Sequence, residues 1–73
     1  MTEVFLFDRS LTLGQKVRIS RVARRWTQDD LAFEAGVTQG AVSALERDIK
    51  VFPLAKKRIL KILNLNGEGP VDG

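Results

Sequence analysis

From Leu13 to Leu65 the apolar residues recur at intervals of three and four, and the polar residues between them carry helix start and stop signals. "TLGQ" at 12–15 is a capping box, in which the Thr12 hydroxyl takes an orphan amide and Gln15 reaches back. Leu13 and Val17 begin an apolar stripe on the helix it opens. "TQDD" at 27–30 repeats the signal, with acids in the first turn where they suit the helix dipole, ahead of Leu31, Ala32 and Ala35. Gly36 can take the positive φ that ends this second helix. Thr38 can cap a third, whose apolar side is Val42 and Leu45. Pro53 is tolerated in the first turn of a fourth helix, "LAKKRILKILNL", predicted to run to about Leu65. "NGEGPVDG" then reads as punctuation and tail. The pattern predicts an all-α chain with an apolar arm over 1–10, one domain over 11–65 and a flexible tail over 66–73.

The second and third helices are separated by little more than "GVT". So short a turn makes the two cross steeply, with Val37 plugging the angle and Ala32 small where they come closest. Gly36 is the residue able to make the corner. Small residues at the crossing together with a glycine at the corner are the layout of a helix-turn-helix.

"TQDDLAFEAGVTQGAVSALE" resembles the lambda repressor/Cro-like, or XRE-type, helix-turn-helix family. Gln28, Leu31, Ala32, Ala35, Gly36, Val37, Val42 and Leu45 match it in register, and the likeness extends over Leu13 to about Leu54. The resemblance implies a compact bundle of four or five helices, with Thr38–Arg47 lying in the DNA major groove. It further implies that Gln28 faces both a phosphate and Gln39, and that Arg21 pairs with Glu46. The charges alone make that pair reasonable. Glu46 sits at the negative end of a helix dipole and Arg21 on the inner side of the first helix, each awkward alone. The plainer alternative is two solvated surface charges.

On the reading helix Gln39 can make two hydrogen bonds to adenine, and Arg47 can pair with guanine or a phosphate. Ser43 reads weakly, and the Ala44 methyl touches only a thymine methyl. Gly40 reads nothing and costs about 1 kcal/mol relative to alanine. Its functional value is close approach to the bases; the alternative is that Gly40 and Ala44 form a smooth stripe for another helix. Thr27, Gln28, Thr38 and Gln39 stand at helix amide ends suited to phosphate, with Arg47 and Lys50 on the far side. Lys56, Lys57, Arg58 and Lys61 make the last helix basic, although such a face is commonly just solvated.

The chain departs from the family in two places. Ser20 stands where the inner stripe usually has a bulky apolar residue, while Ile19, Val22, Ala23 and Trp26 form a second stripe. Of these, Trp26 is expected to enter the core. Upstream, Val4, Phe5, Leu6 and Phe7 are β-prone and have no helical counterpart in the family. The economical expectation is that this arm covers Ile19 and Val22, in its own chain or a partner's. Near the C-terminus Ile59, Leu60, Ile62 and Leu63 cover a broader arc than one small core uses, so Leu60 and Leu63 are candidate dimer contacts.

Composition removes whole classes. The 73 residues include no cysteine and no histidine, which takes away disulfides, thiolate metal sites and the usual general base. In the only acidic cluster, Asp29, Asp30 and Glu34, helix start geometry explains the aspartates without catalysis, and no catalytic pair or phosphate loop is visible. No metal, cofactor or small-molecule effector is expected. The apolar runs are too short to span a membrane, and "MTEVFLFDRS" lacks a signal peptide's basic start, so the chain is expected in the cytoplasm. A net charge of +3 and a pI of about 9.8 suit a polyanionic partner without naming one. The expected function is a sequence-specific regulator of double-stranded DNA, prokaryotic or phage in type, acting as a homodimer. The alternative is a protein-interaction module (anti-repressor, antitoxin or phage assembly subunit) that keeps the helix-turn-helix as scaffold and docks through its arm.

Overall fold

The computed structural model describes residues 10–65. The arm residues Val4, Phe5 and Phe7 and the 66–73 tail lie outside them. The described residues form four helices and no strand: α1 (Leu13–Ala23), α2 (Gln28–Ala35), α3 (Gln39–Glu46) and α4 (Pro53–Ile62).

Each helix starts where its cap says. Thr12 accepts from the Gln15 amide while the Gln15 side chain accepts from Thr12, and Thr27 and Asp30 repeat this reciprocal arrangement at α2. Thr38 accepts from the Ala41 amide at α3, and α4 opens with Pro53 in its first turn.

The ends share one device. The residue after each helix's last turn adopts the left-handed conformation, at φ 60° for Arg25, 71° for Gly36, 58° for Asp48 and 61° for Asn64. The next residue is apolar every time, and its amide reaches back five positions. Trp26 donates to the Arg21 carbonyl (3.2 Å), Val37 to Ala32 (3.0 Å), Ile49 to Ala44 (2.8 Å) and Leu65 to Leu60 (2.8 Å). These are Schellman closures, which satisfy orphan carbonyls and fold an apolar side chain back towards the helix. Glycine is the residue that adopts this conformation most readily, and only α2 uses one.

Val17, Leu31, Val42 and Ile59, one from each helix, are fully buried and make the centre of the core. Ala32, Ala35, Leu45, Leu63 and Leu65 complete it. The last helix ends at Ile62, short of the expected Leu65, because Asn64 leaves the helical conformation. That early stop corrects a second expectation. Leu63, assigned to a partner surface, is only 3% exposed, since the closure carries Leu63 and Leu65 into the chain's own core. Leu60 and Ile62 are half-buried against the same cluster.

On α1, Ser20 is buried in the position where a bulky apolar residue is usual, Ile19 is half-buried, and Val22 is 55% exposed. Trp26 packs at the margin of the core rather than within it, with the Arg24 guanidinium 5.7 Å from the centre of its ring. The closest backbone approach is at Gly14. A Cβ there would lie 2.5 Å from the Leu45 carbonyl oxygen and 2.7 Å from that of Glu46. The first turn of α1 therefore lies directly against the end of α3.

Candidate nucleic-acid interface

Two contacts hold α3 relative to the rest of the domain. At its far end, Asp48 accepts from the Gly14 amide (3.0 Å) and from the Thr12 hydroxyl (2.7 Å). Its carboxylate serves as a second cap on α1, where negative charge suits the positive end of the helix dipole. At the corner between α2 and α3, the Arg58 guanidinium donates to the Gly36 carbonyl (3.2 Å), tying α4 to the turn.

Beneath α3 lies the expected ion pair. Arg21 Nε donates to Glu46 Oε2 at 2.5 Å and Nη2 to Oε1 at 3.2 Å, with the Glu46 side chain 4% exposed. Arg21 Nη1 also donates to the Trp26 carbonyl (2.7 Å), so the guanidinium is satisfied on three sides. From there the polar chain continues outward: Gln28 Nε2 donates to Glu46 Oε1 (3.1 Å), and Gln39 Nε2 donates to Gln28 Oε1 (2.6 Å). Thus Gln28 and Gln39, on different helices, share one surface supported by a buried charge.

The outward side of α3 carries Gln39 and Gly40, both exposed, then Ser43 and Ala44, both half-buried, with Arg47 and Lys50 exposed beyond its end. Nothing crowds Gly40: the nearest neighbour to a Cβ there would be the Thr38 hydroxyl, 3.9 Å away. Among the described residues, then, Gly40 is not packed under another helix, while Ala44 is half-buried. The two helix amide ends are unequal. The first turn of α2 holds Asp29 and Asp30, whereas that of α3 holds no acid, so an anion is opposed at Gln28 and unopposed at Gln39. Thr27 is exposed, but its amide donates to the Asp30 carboxylate (2.8 Å).

α2 and α3 thus meet at a tight turn, with α3 supported from beneath by a polar chain. The helix-turn-helix model of the XRE and lambda-repressor type matches residues 17–70. The chain belongs to that family. It is a DNA-binding helix-turn-helix regulator of XRE type. No curated protein and no solved structure gives a significant match.

Three features of this helix-turn-helix regulator escape a reading of its sequence. Gly14 looks like a weak helix residue and is a close backbone contact; Asp48 looks like a surface acid and is a cap. Their only local signal is that a lone acid follows Arg47 where the helix stops. The third is the Gln28–Glu46 hydrogen bond that joins two pairs expected separately. Among the described residues no cluster of potential metal ligands gathers, and no helix is long and apolar enough to cross a membrane.

Proposed function

We propose that the chain regulates transcription by occupying a specific operator in double-stranded DNA as a homodimer, with α3 in the major groove. The observation that carries this reading is the outer face of α3. Gln39 stands exposed on a buried polar support, beside a glycine with open space in front of it. Gln39 reads a base edge, Gly40 and Ala44 permit close approach, and Ser43 adds a weak contact. Thr38, Arg47 and Lys50 hold the phosphates around it, with Thr27 and Gln28 at the edge of the same surface. Few side chains reach the bases, so much of the affinity is electrostatic, and it falls steeply with salt.

Support for the dimer comes from the corner between α3 and α4, where Phe52 is 84% exposed and Leu54 stands beside it, also exposed. Fully burying a side chain of this size contributes about 1.5–3 kcal/mol, which a second copy would gain. Phe52→Ser is expected to shift the molecule towards monomer in sedimentation, and to weaken a two-half-site operator more than a single half-site. An unchanged mass distribution would remove Phe52 from the interface.

One observation favours the protein-interaction reading. Phe33, on α2, is 83% exposed, a large apolar ring that a partner protein would cover and that contact with DNA alone does not account for. Selection from random duplex DNA decides between the two. A recovered site that outlasts random DNA by about 10³-fold or more supports the operator reading. Failure to bind any selected duplex at low salt supports the interaction module.

A further inference from the structure

Two side chains, Gln28 and Gln39, connect the buried Arg21–Glu46 pair to the surface of α3, and their chemistry gives the chain a direction. A carboxylate only accepts hydrogen bonds. Facing Glu46 Oε1 at 3.1 Å, Gln28 must present its NH2 group, which turns its carbonyl oxygen towards Gln39. Gln39 must then present its own NH2 group to that oxygen, at 2.6 Å. Its nitrogen lies on the side of Gln28 and its oxygen on the side away from it. In water, a glutamine amide adopts either order with little preference.

We propose that Glu46 is a positioning residue for base recognition, whose charge, passed through Gln28, sets the order in which Gln39 offers donor and acceptor to a base pair. This rests on the reading of α3 as the recognition helix. Each base pair shows its own order of donors and acceptors in the major groove, so an amide held in one order matches one arrangement. An amide free to flip accommodates two and discriminates less. Holding the order before DNA arrives also avoids immobilising the side chain on binding. The negative charge is the essential part. A glutamine at this position would place its oxygen on the shorter Arg21 contact and turn its NH2 group towards Gln28, which would then favour the opposite order.

The test compares Glu46→Gln with Arg21→Lys in the full chain, scoring base preference at each position of a duplex library. Both lose the bidentate ion pair and some stability, but only Glu46→Gln loses the carboxylate. It is expected to lose roughly fivefold or more of the preference at the one position that Gln39→Ala abolishes, with the other positions and the salt dependence retained. Arg21→Lys is expected to keep that preference. Equal relaxation in both variants, an even loss at every position, or an intact preference in Glu46→Gln would overturn the proposal. Should Glu46→Gln fail to fold, Gln28→Ala interrupts the chain at a half-exposed residue and is expected to relax the same position; an unchanged preference there overturns the proposal as well. A Gln39→Ala variant that alters no single position would instead overturn the reading of α3. The side-chain amide resonances of Gln28 in the DNA-free protein then judge the order alone. One proton bonded to the carboxylate is expected downfield in the parent or in Arg21→Lys, and its absence would show that Glu46 does not hold the amide.

Discussion

Replacing glycine by alanine inside a helix ordinarily stabilises it by about 1 kcal/mol, and Gly14→Ala is expected to do the reverse. The added Cβ would meet the Leu45 carbonyl oxygen at 2.5 Å, the Glu46 oxygen at 2.7 Å and the Glu46 carbonyl carbon at 2.9 Å. All three are backbone atoms at the end of α3, so no side chain can rotate out of the way. Relieving the overlap requires α1 to move off α3, at a cost of about 1–3 kcal/mol for overpacking. The same movement stretches the 3.0 Å bond from the Gly14 amide to Asp48, losing about 1–2 of the roughly 1.5–3 kcal/mol that a hydrogen bond to a charged group contributes. Subtracting the gain in helix propensity leaves a net loss of about 1–4 kcal/mol. For a domain of this size that lowers Tm by roughly 4–8 °C per kcal/mol. Gly40→Ala is the control: its Cβ would find only the Thr38 hydroxyl at 3.9 Å, so it is expected to gain about 1 kcal/mol. Urea and thermal unfolding followed by the single tryptophan and by circular dichroism measure both. Equal stabilisation by the two alanines would refute the close packing of α1 against α3.

Asp48 is held at φ 58°, where glycine is at ease and alanine is strained, but its carboxylate caps α1. Asp48→Ala loses the cap and keeps the strain, at about 1–3 kcal/mol, whereas Asp48→Gly loses the cap alone; chemical denaturation should rank Gly above Ala by about 1 kcal/mol. Lys50→Ala is expected to weaken every duplex alike and to flatten the log–log salt slope by about one, measured by fluorescence anisotropy at several ionic strengths. A change of base preference in Lys50→Ala would mean that it reads rather than clamps.

The helix starts are legible in the sequence because a cap is local chemistry. Thr12, Thr27, Thr38 and Pro53 each mark a start without reference to the fold. The ends are less so. Gly36 announces one, Asn64 and Asp48 are types that tolerate the same turn and signal it weakly, and Arg25 does not advertise it at all, leaving the apolar residue that follows as its trace. The fate of Leu63 follows from this, because a helix taken to run on to Leu65 leaves an apolar arc unused that the actual turn consumes. Gly14 and Asp48 were out of reach for a different reason: their contact joins positions 34 apart, and no local pattern encodes it. On the reading face, the resemblance supplied Gln28 with Gln39 and Arg21 with Glu46. Only the geometry joins the two pairs into one chain.

The central claim, that α3 reads base edges through Gln39, is tested most directly by comparing the parent chain with Gln39→Ala on a selected operator and on its single-base-pair variants. The predicted result is a loss of discrimination at one base pair, worth about 1–3 kcal/mol, with preferences elsewhere and the salt slope unchanged. Equal weakening on every sequence, or no loss at all, would contradict it.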